Sequence, residues 1–288
     1  MKNKKHFITV LSALIVFMVL LSACSSISGS QIAGILIRSA PTILKAMEDI
    51  TPEQEYYIGR AVGANILSMY SIYDKDWDLL LYLNRICGTI VVNSARPEIF
   101  NGYHLAILDT DEINAFATSG GHIFVTRGLI ACADSEDALA GVIAHEIGHI
   151  QLQHSIKSIK NSRINQAIVQ TGANALEATM NLGELTSVFT ESVGEIVTTM
   201  VNNGYSRTQE FEADDTAIAL MAASGYDPQG LILMLQAIER LHDNSGKGFS
   251  KTHPSPTDRI ANAQKTVTNY RVEDTRAYRQ ARYNAVIR

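Results

Sequence analysis

The chain predicts a mostly helical α+β fold with a small three- to four-stranded sheet. Three observations carry this expectation. Apolar residues recur at helical spacing in several separated segments. Strand-like runs are confined to residues 103–126. No segment repeats at a period of 30–40 residues, which excludes a tetratricopeptide array. Composition allows a large core, since 46% of the 288 residues are hydrophobic and 18% charged. The 24 basic and 29 acidic residues give a net charge of −5 with no basic stripe. Nucleic acid is therefore not expected as the main partner. Three cysteines make neither a disulfide scaffold nor a four-cysteine zinc ribbon. A metal would have to be held by histidine and carboxylate.

The first residues read as an address. Lys2, Lys4 and Lys5 precede a 15-residue apolar run, Phe7 to Leu21. At 1.5 Å per residue this run spans about 22 Å, short of the ~30 Å hydrocarbon core, and suits a signal-peptide core better than a spanning helix. Leu21-Ser22-Ala23-Cys24 resembles a bacterial lipobox. Residues 1–23 are then expected to be removed and Cys24 acylated as a membrane anchor. The alternatives are an uncleaved anchor or ordinary secretion. Removing residues 1–23 takes away three lysines and no acid, leaving −8. That charge argues against adhesion to anionic lipid, so attachment rests on the acyl chains. Residues 24–50, rich in serine at the start, read as a tether.

The elements follow in order. Thr51-Pro52 opens a helix with Thr51 as N-cap and Pro52 in the first turn, and Ile58, Val62, Ile66, Met69 and Tyr70 are expected to form its core stripe. A second helix is expected from Asp76 to about Asn93. Residues 103–109, 113–118 and 121–126 read as short strands, with Ser119-Gly120-Gly121 turning between the last two. Asp134 is the expected cap of the next helix, with Asp137 near its positive end. Residues 156–205 are helix-like and punctuated by glycine, a candidate flap. Further helices are expected over 206–223, 228–242 and 256–269. Residues 271–288 are polar and of mixed charge, and read as a loosely held tail. Cys87 and Cys132 could pair, but their apolar helical context equally suits buried thiols.

Chemistry concentrates in His145-Glu146-Ile147-Gly148-His149. On a helix, positions 145 and 149 sit about 40° apart, so both imidazoles can face one ion. Glu146 lies about 100° round from His145, where it can take a proton from water. A random chain of this composition would carry HExxH on the order of 0.01 times. Catalytic zinc usually takes three protein ligands and water. His154 falls about 180° from His145 on a continued helix and is expected to be a surface or packing histidine. A second helix offers Glu210 and Asp214, four apart on one face, with Glu212 about 200° from Glu210 and pointing elsewhere. Glu210 as a ligand leaves Asp214 able to accept the distal N–H of a ligating histidine. The alternative is an acidic helix start capped by Ser206.

HEIGH, followed some 60 residues later by Ser206-Arg207 and Glu210, Glu212, Ala213, Asp214, resembles the HtpX and CAAX prenyl protease-like family of gluzincin zinc metallopeptidases. Within it the chain is most similar to exported bacterial lipoproteins related to the beta-barrel assembly-enhancing protease. The likeness covers most of residues 55–265. It implies a zincin-like domain over 51–270, one Zn2+ per chain held by His145, His149 and Glu210, and Glu146 as catalytic base. Asn114 to Ala117 and Gly120 to Val125 resemble the family's active-site edge strand. An extended substrate is expected to pair along Gly121, His122, Ile123 and Phe124, with Asn114 alongside. Thr252-His253-Pro254 and Arg259-Ile260 resemble its C-terminal element. His253 would then approach the metal opposite the base, steadying an oxyanion or plugging the site. Its alternative is a residue at a helix start before Pro254. The transmembrane helices and tandem-repeat tail of other members are missing from this sequence. The implied function is hydrolysis of unfolded or misassembled envelope proteins from a lipid-anchored, periplasm-facing position. The competing function is an envelope chaperone or assembly factor with a gated protease site. Oligomeric state is not legible.

Overall fold

A computed structural model describes residues 49–161, 194, 196–198, 204–241, 249–253 and 256–287. The expected signal peptide, Cys24, the tether to Glu48 and most of the 156–205 flap lie outside these residues. The described residues belong to one compact unit. Its elements run α1 (Pro52–Met69), α2 (Trp77–Val91), β1 (His104–Leu108), β2 (Ala115–Ala117), β3 (His122–Thr126), α3 (Arg127–Cys132), α4 (Glu136–Gln151), α5 (Arg207–Ala223), α6 (Gln229–Leu241), α7 (Phe249–Thr252), α8 (Pro256–Val267) and α9 (Arg276–Val286). This is the mostly helical α+β architecture expected, with three strands.

Local chemistry sets the helix starts. Thr51 and Gln54 make a reciprocal capping box on α1, and Ser206 and Gln209 make the same on α5. The cap of α4 is Ser135, whose side chain accepts from Ala138 N, and not the expected Asp134. Both residues suit the position; the hydroxyl of Ser135 is the one in reach of the first turn.

The sheet has the order β1-β3-β2, with β1 parallel and β2 antiparallel to β3. Alternation along the strands feeds two apolar clusters. Leu105, Ile107, Ala115, Ala117, Ile123 and Val125 face the main core under α2, α4, α5 and α6. Leu108, Phe116 and Phe124 face a second cluster with Ile58, Val62 and Ile66 of α1. Gly59 of α1 lies so close to the Ser119 carbonyl that a Cβ there would stand 1.3 Å from the oxygen. Only glycine permits that approach.

Helix α4 is buried along nearly its whole length, from Glu136 to Ile150. A helix buried on all sides is a core element, which explains why its sequence shows little polar face. Gly148 of the HEIGH segment sits where an added Cβ would come 3.0 Å from the Ala213 carbonyl oxygen. The motif glycine thus lets α5 pass directly across α4.

The C-terminal residues differ from the loose tail expected. They form α9, with Arg279 and Tyr283 buried. Arg279 Nε lies 2.7 Å from Asp137 Oδ1, Arg282 pairs with Glu136, and the Tyr283 hydroxyl donates to the Ala133 carbonyl at 2.6 Å. The segment is polar because its charges are complementary to the two acids opening α4, which composition alone does not reveal. Arg279→Ala would leave Asp137 buried without its cation, and a loss of about 3–5 kcal/mol is expected in urea unfolding. Cys87 and Cys132 are both free thiols, and Cys87 is buried.

Candidate metal centre

Four buried side chains from three parts of the chain meet at one point. His145 and His149 come from α4, Glu210 from α5 and His253 from just after α7, and one donor atom of each lies within 4.8 Å of the others. The two Nε2 atoms of His145 and His149 are 3.0 Å apart. Glu210 Oε2 is 3.5 Å from the first and Oε1 is 3.5 Å from the second. A tetrahedral ion with ligands at about 2.0–2.1 Å needs donors roughly 3.3 Å apart. The triad fits that requirement.

Proton placement gives the same answer. His145 Nδ1 faces Asp214 Oδ1 at 2.9 Å, so its proton belongs on Nδ1 and its Nε2 carries a bare lone pair. His149 Nδ1 lies 2.8 Å from His154 Nδ1, and a proton on His149 Nδ1 likewise bares its Nε2. Two bare nitrogens facing each other at 3.0 Å repel unless a cation lies between them. Burial, then the charge of Arg259, pushes the His145 pKa down to about 3. Neutral imidazole is the form a metal requires.

Arg259 completes the electrostatics. It is buried and donates through Nε and Nη2 to the two oxygens of Asp214 at 2.8 and 2.6 Å. Its Nη1 is 3.1 Å from Glu210 Oε2. Burial acts to raise the Glu210 pKa, but the charges of His253 and Arg259 and the histidine hydrogen bonds outweigh it, holding the carboxyl well below its usual value. Asp214 is also lowered, as Arg259 and His145 outweigh its burial. Burial alone would lower the His253 pKa, but Glu210 at 3.0 Å raises it instead.

Glu146 stands apart from this network. It is buried, its Oε1 has no hydrogen-bond partner among the described residues, and its nearest charged neighbour is His253 Nε2 at 3.7 Å. Burial raises its pKa, with His253 and His149 opposing. A basic carboxylate with an unpartnered oxygen beside the two histidines is chemically suited to hold a proton taken from water.

His154 corrects the helical-wheel expectation. Helix α4 ends at Gln151, and Gln153 adopts φ 54°, so the chain reverses and helical conformation resumes over 154–161. His154 is thereby fully buried behind His149, and burial lowers its pKa to about 3. Its Nε2 is 3.2 Å from Glu212 Oε2. Tyr205 stacks on the face of His149, with ring centroids 4.2 Å apart. His154 is thus the packing histidine of the two alternatives, while its contacts to His149 and Glu212 and the parts of Tyr205 and Arg259 are not legible in the sequence. The only sequence signal was histidine nine residues after His145, which an uninterrupted helix discards.

The expected substrate strand also needs correction. Strand β3, with His122, Ile123 and Phe124, is central and paired on both sides, so it cannot accept another strand. Gly121 lies in the turn before it, at φ 89°. Between β2 and β3, Thr118 N donates to His122 O and Thr126 N to Asn114 O. By antiparallel alternation the Phe116 peptide groups face β3, and those of Ala115 and Ala117 face outward. Asn114 Oδ1 accepts from Ala115 N. Among the described residues, no backbone group pairs with the outward Ala117 N–H. The opposite edge is closed, because the Asn84 amide hydrogen-bonds both N–H and C=O of Leu105 and Tyr73 N donates to Ile107 O.

The titrations carry a stability consequence in the metal-free protein. His145 and His154 are held near 3 in the fold, whereas an unfolded histidine titrates near 6.5. Between those values the unfolded chain binds more protons, so stability falls as pH falls. The lowered Glu210 and Asp214 add to this below about pH 4, while the raised His253 above pH 6.5 and the raised Glu146 above about pH 4.3 act oppositely. Urea midpoints of chelated protein should decline steadily below about pH 6.5; a flat profile to pH 4 would contradict the placement of these histidines.

An HExxH helix crossed by a second helix carrying a glutamate, beside a small mixed sheet, defines the zincin-like metallopeptidase class. Comparison with known proteins refines that class. The model of Peptidase family M48 matches residues 81–267, about two thirds of the chain, and the chain belongs to this family. It is 27% identical over 221 residues to the beta-barrel assembly-enhancing protease of Escherichia coli O157:H7, covering 75% of this chain and 43% of that protein. It is 30% identical over 182 residues to the mitochondrial metalloendopeptidase OMA1 of Schizosaccharomyces pombe, covering 62% and 50%. To the metalloprotease YcaL of Escherichia coli K12 it is 31% identical over 150 residues, covering 52% and 56%. The chain thus spans about half the length of the curated relatives it matches.

Proposed function

We propose that the chain is a zinc-dependent metalloendopeptidase of the bacterial cell envelope that hydrolyses unfolded or misassembled proteins. The observation that carries this is the meeting of His145, His149 and Glu210 donors at near-tetrahedral spacing beside Glu146, whose Oε1 has no hydrogen-bond partner among the described residues. Two imidazoles and a carboxylate form the donor set of a catalytic zinc, and one Zn2+ per chain would be held there. Zinc would supply Lewis acidity, bringing the pKa of water towards about 7 and polarising a carbonyl. Glu146 takes the proton of the attacking water and passes it to the leaving amine. Asp214 and Arg259 hold His145 and Glu210 in place.

An extended substrate is proposed to lie along β2, where the outward Ala117 N–H offers a backbone partner. Such augmentation reads main chain, so it selects polypeptide that can present a free strand, which folded proteins do not. The envelope location rests on the N-terminal pattern ending in Cys24, proposed as a lipid anchor on the periplasmic side, with the outer membrane favoured. The name of the beta-barrel assembly-enhancing relatives agrees with that setting. Among the described residues no helix is long and apolar enough to cross a membrane.

A second reading is favoured by His253. Its Nδ1 lies 3.4 Å from His145 Nε2 and 3.0 Å from Glu210 Oε1, the place of a fourth donor. A ring there would hold the site latent, as in a chaperone or assembly factor with a gated protease. Both readings are tested in one sample, by following cleavage of unfolded casein and suppression of its aggregation with and without a zinc chelator. Cleavage abolished by chelator and restored by zinc supports the peptidase. Aggregation suppressed without any cleavage supports the gated factor.

A further inference from the structure

The two metal-facing histidines are held from behind in different ways. His145 meets a buried carboxylate directly, Asp214 at 2.9 Å. Behind His149 stands another histidine. His149 Nδ1 is 2.8 Å from His154 Nδ1, and His154 Nε2 is 3.2 Å from Glu212 Oε2. His154 is fully buried, and the Glu212 side chain is 52% exposed. The chain of contacts therefore runs from the metal-facing nitrogen of His149 to the protein surface.

Each link has one consistent proton. With Nε2 of His149 bare, its Nδ1–H donates to Nδ1 of His154. That leaves the other His154 proton on Nε2, which donates to the Glu212 carboxylate. Reversing either proton moves it onto the metal-facing nitrogen or turns a lone pair towards a carboxylate. From this geometry, and resting on the metal-site reading above, we infer that His154 and Glu212 form an outer relay that fixes the tautomer and ring plane of His149. His154 is a positioning residue that acts through His149. Tyr205, stacked at 19° on the same ring, limits its rotation. Outer partners of ligating histidines are worth about 10–100-fold in metal affinity. The exposed Glu212 end is screened by salt and contributes the smaller share.

The test is zinc affinity by chelator competition on the full chain, with visible spectra of the cobalt-substituted protein and thermal unfolding of the metal-free form. His154→Leu removes the acceptor and should weaken zinc about 10–100-fold. His154→Asn keeps an oxygen near the Nδ1 position and should recover part of that loss. Glu212→Gln lies on the exposed surface, so folding is not at stake. It should weaken zinc a few-fold and shift the cobalt spectrum, and have no effect once His154 is Asn. Wild-type affinity in Glu212→Gln and His154→Asn, or the same Glu212→Gln effect in both backgrounds, would overturn the relay while leaving the metal site standing. A wild-type protein that binds no zinc would overturn both.

Discussion

Glu146→Gln is expected to lower hydrolysis of unfolded casein by 10²–10⁴-fold, the usual contribution of a positioned general base, with zinc content unchanged. The expectation follows from how little else Glu146 does. Its Oε1 has no hydrogen-bond partner among the described residues, and the nearest charged atom, His253 Nε2, is 3.7 Å away. The glutamine amide has the same volume, so packing of α4 is undisturbed. Burial already disfavours the ionised carboxylate, and a neutral group there should leave folding stability equal or slightly higher. Fluorescent casein assays and elemental analysis on the same preparation check the pair of outcomes. Hydrolysis within twofold of wild type, at equal zinc, would remove Glu146 from the reaction.

Glu210→Ala should release the metal. Its two oxygens each lie 3.5 Å from one imidazole Nε2, and it is the one carboxylate of the donor group among the described residues. Loss of outer partners alone costs about 10–100-fold in affinity, and loss of a direct ligand should exceed 100-fold. The change also exposes the charges Glu210 balances. Arg259 keeps Asp214 but loses its 3.1 Å partner, and His253 loses the carboxylate that raises its pKa. Destabilisation of the metal-free protein is therefore expected as well, up to the 3–5 kcal/mol of a broken buried pair. Glu210→Gln separates the effects, because it preserves volume while removing the ligand charge. Circular dichroism confirms the fold, and elemental analysis reads the metal.

Much of the architecture was legible because it rests on local rules. Thr51 and Ser206 cap helices through their own side chains, and alternation over 103–126 gives strands whatever they pair with. Strand order was not legible. Nothing in residues 121–126 distinguishes a central from an edge strand, and the register is set by the β1 crossover and by Asn84 closing the far edge. The tail was misread because Arg279 and Arg282 look solvated until Asp137 and Glu136 stand opposite them. At the site, the residues facing one another across one helical turn were legible from spacing, since 145, 146 and 149 share one rigid frame. His154 was not, because a wheel assumes a continuous helix and Gln153 breaks it with a positive φ. Arg259 is likewise invisible locally, since only tertiary packing brings α8 against Asp214 and Glu210.

X-ray absorption at the zinc edge of the purified full chain bears most directly on the central claim, that two histidines of α4 and a glutamate of α5 share one ion. One zinc per chain with only nitrogen and oxygen neighbours, at least two of them imidazoles, is the expected spectrum. A sulfur shell, or a metal content far below one per chain in active protein, would contradict it.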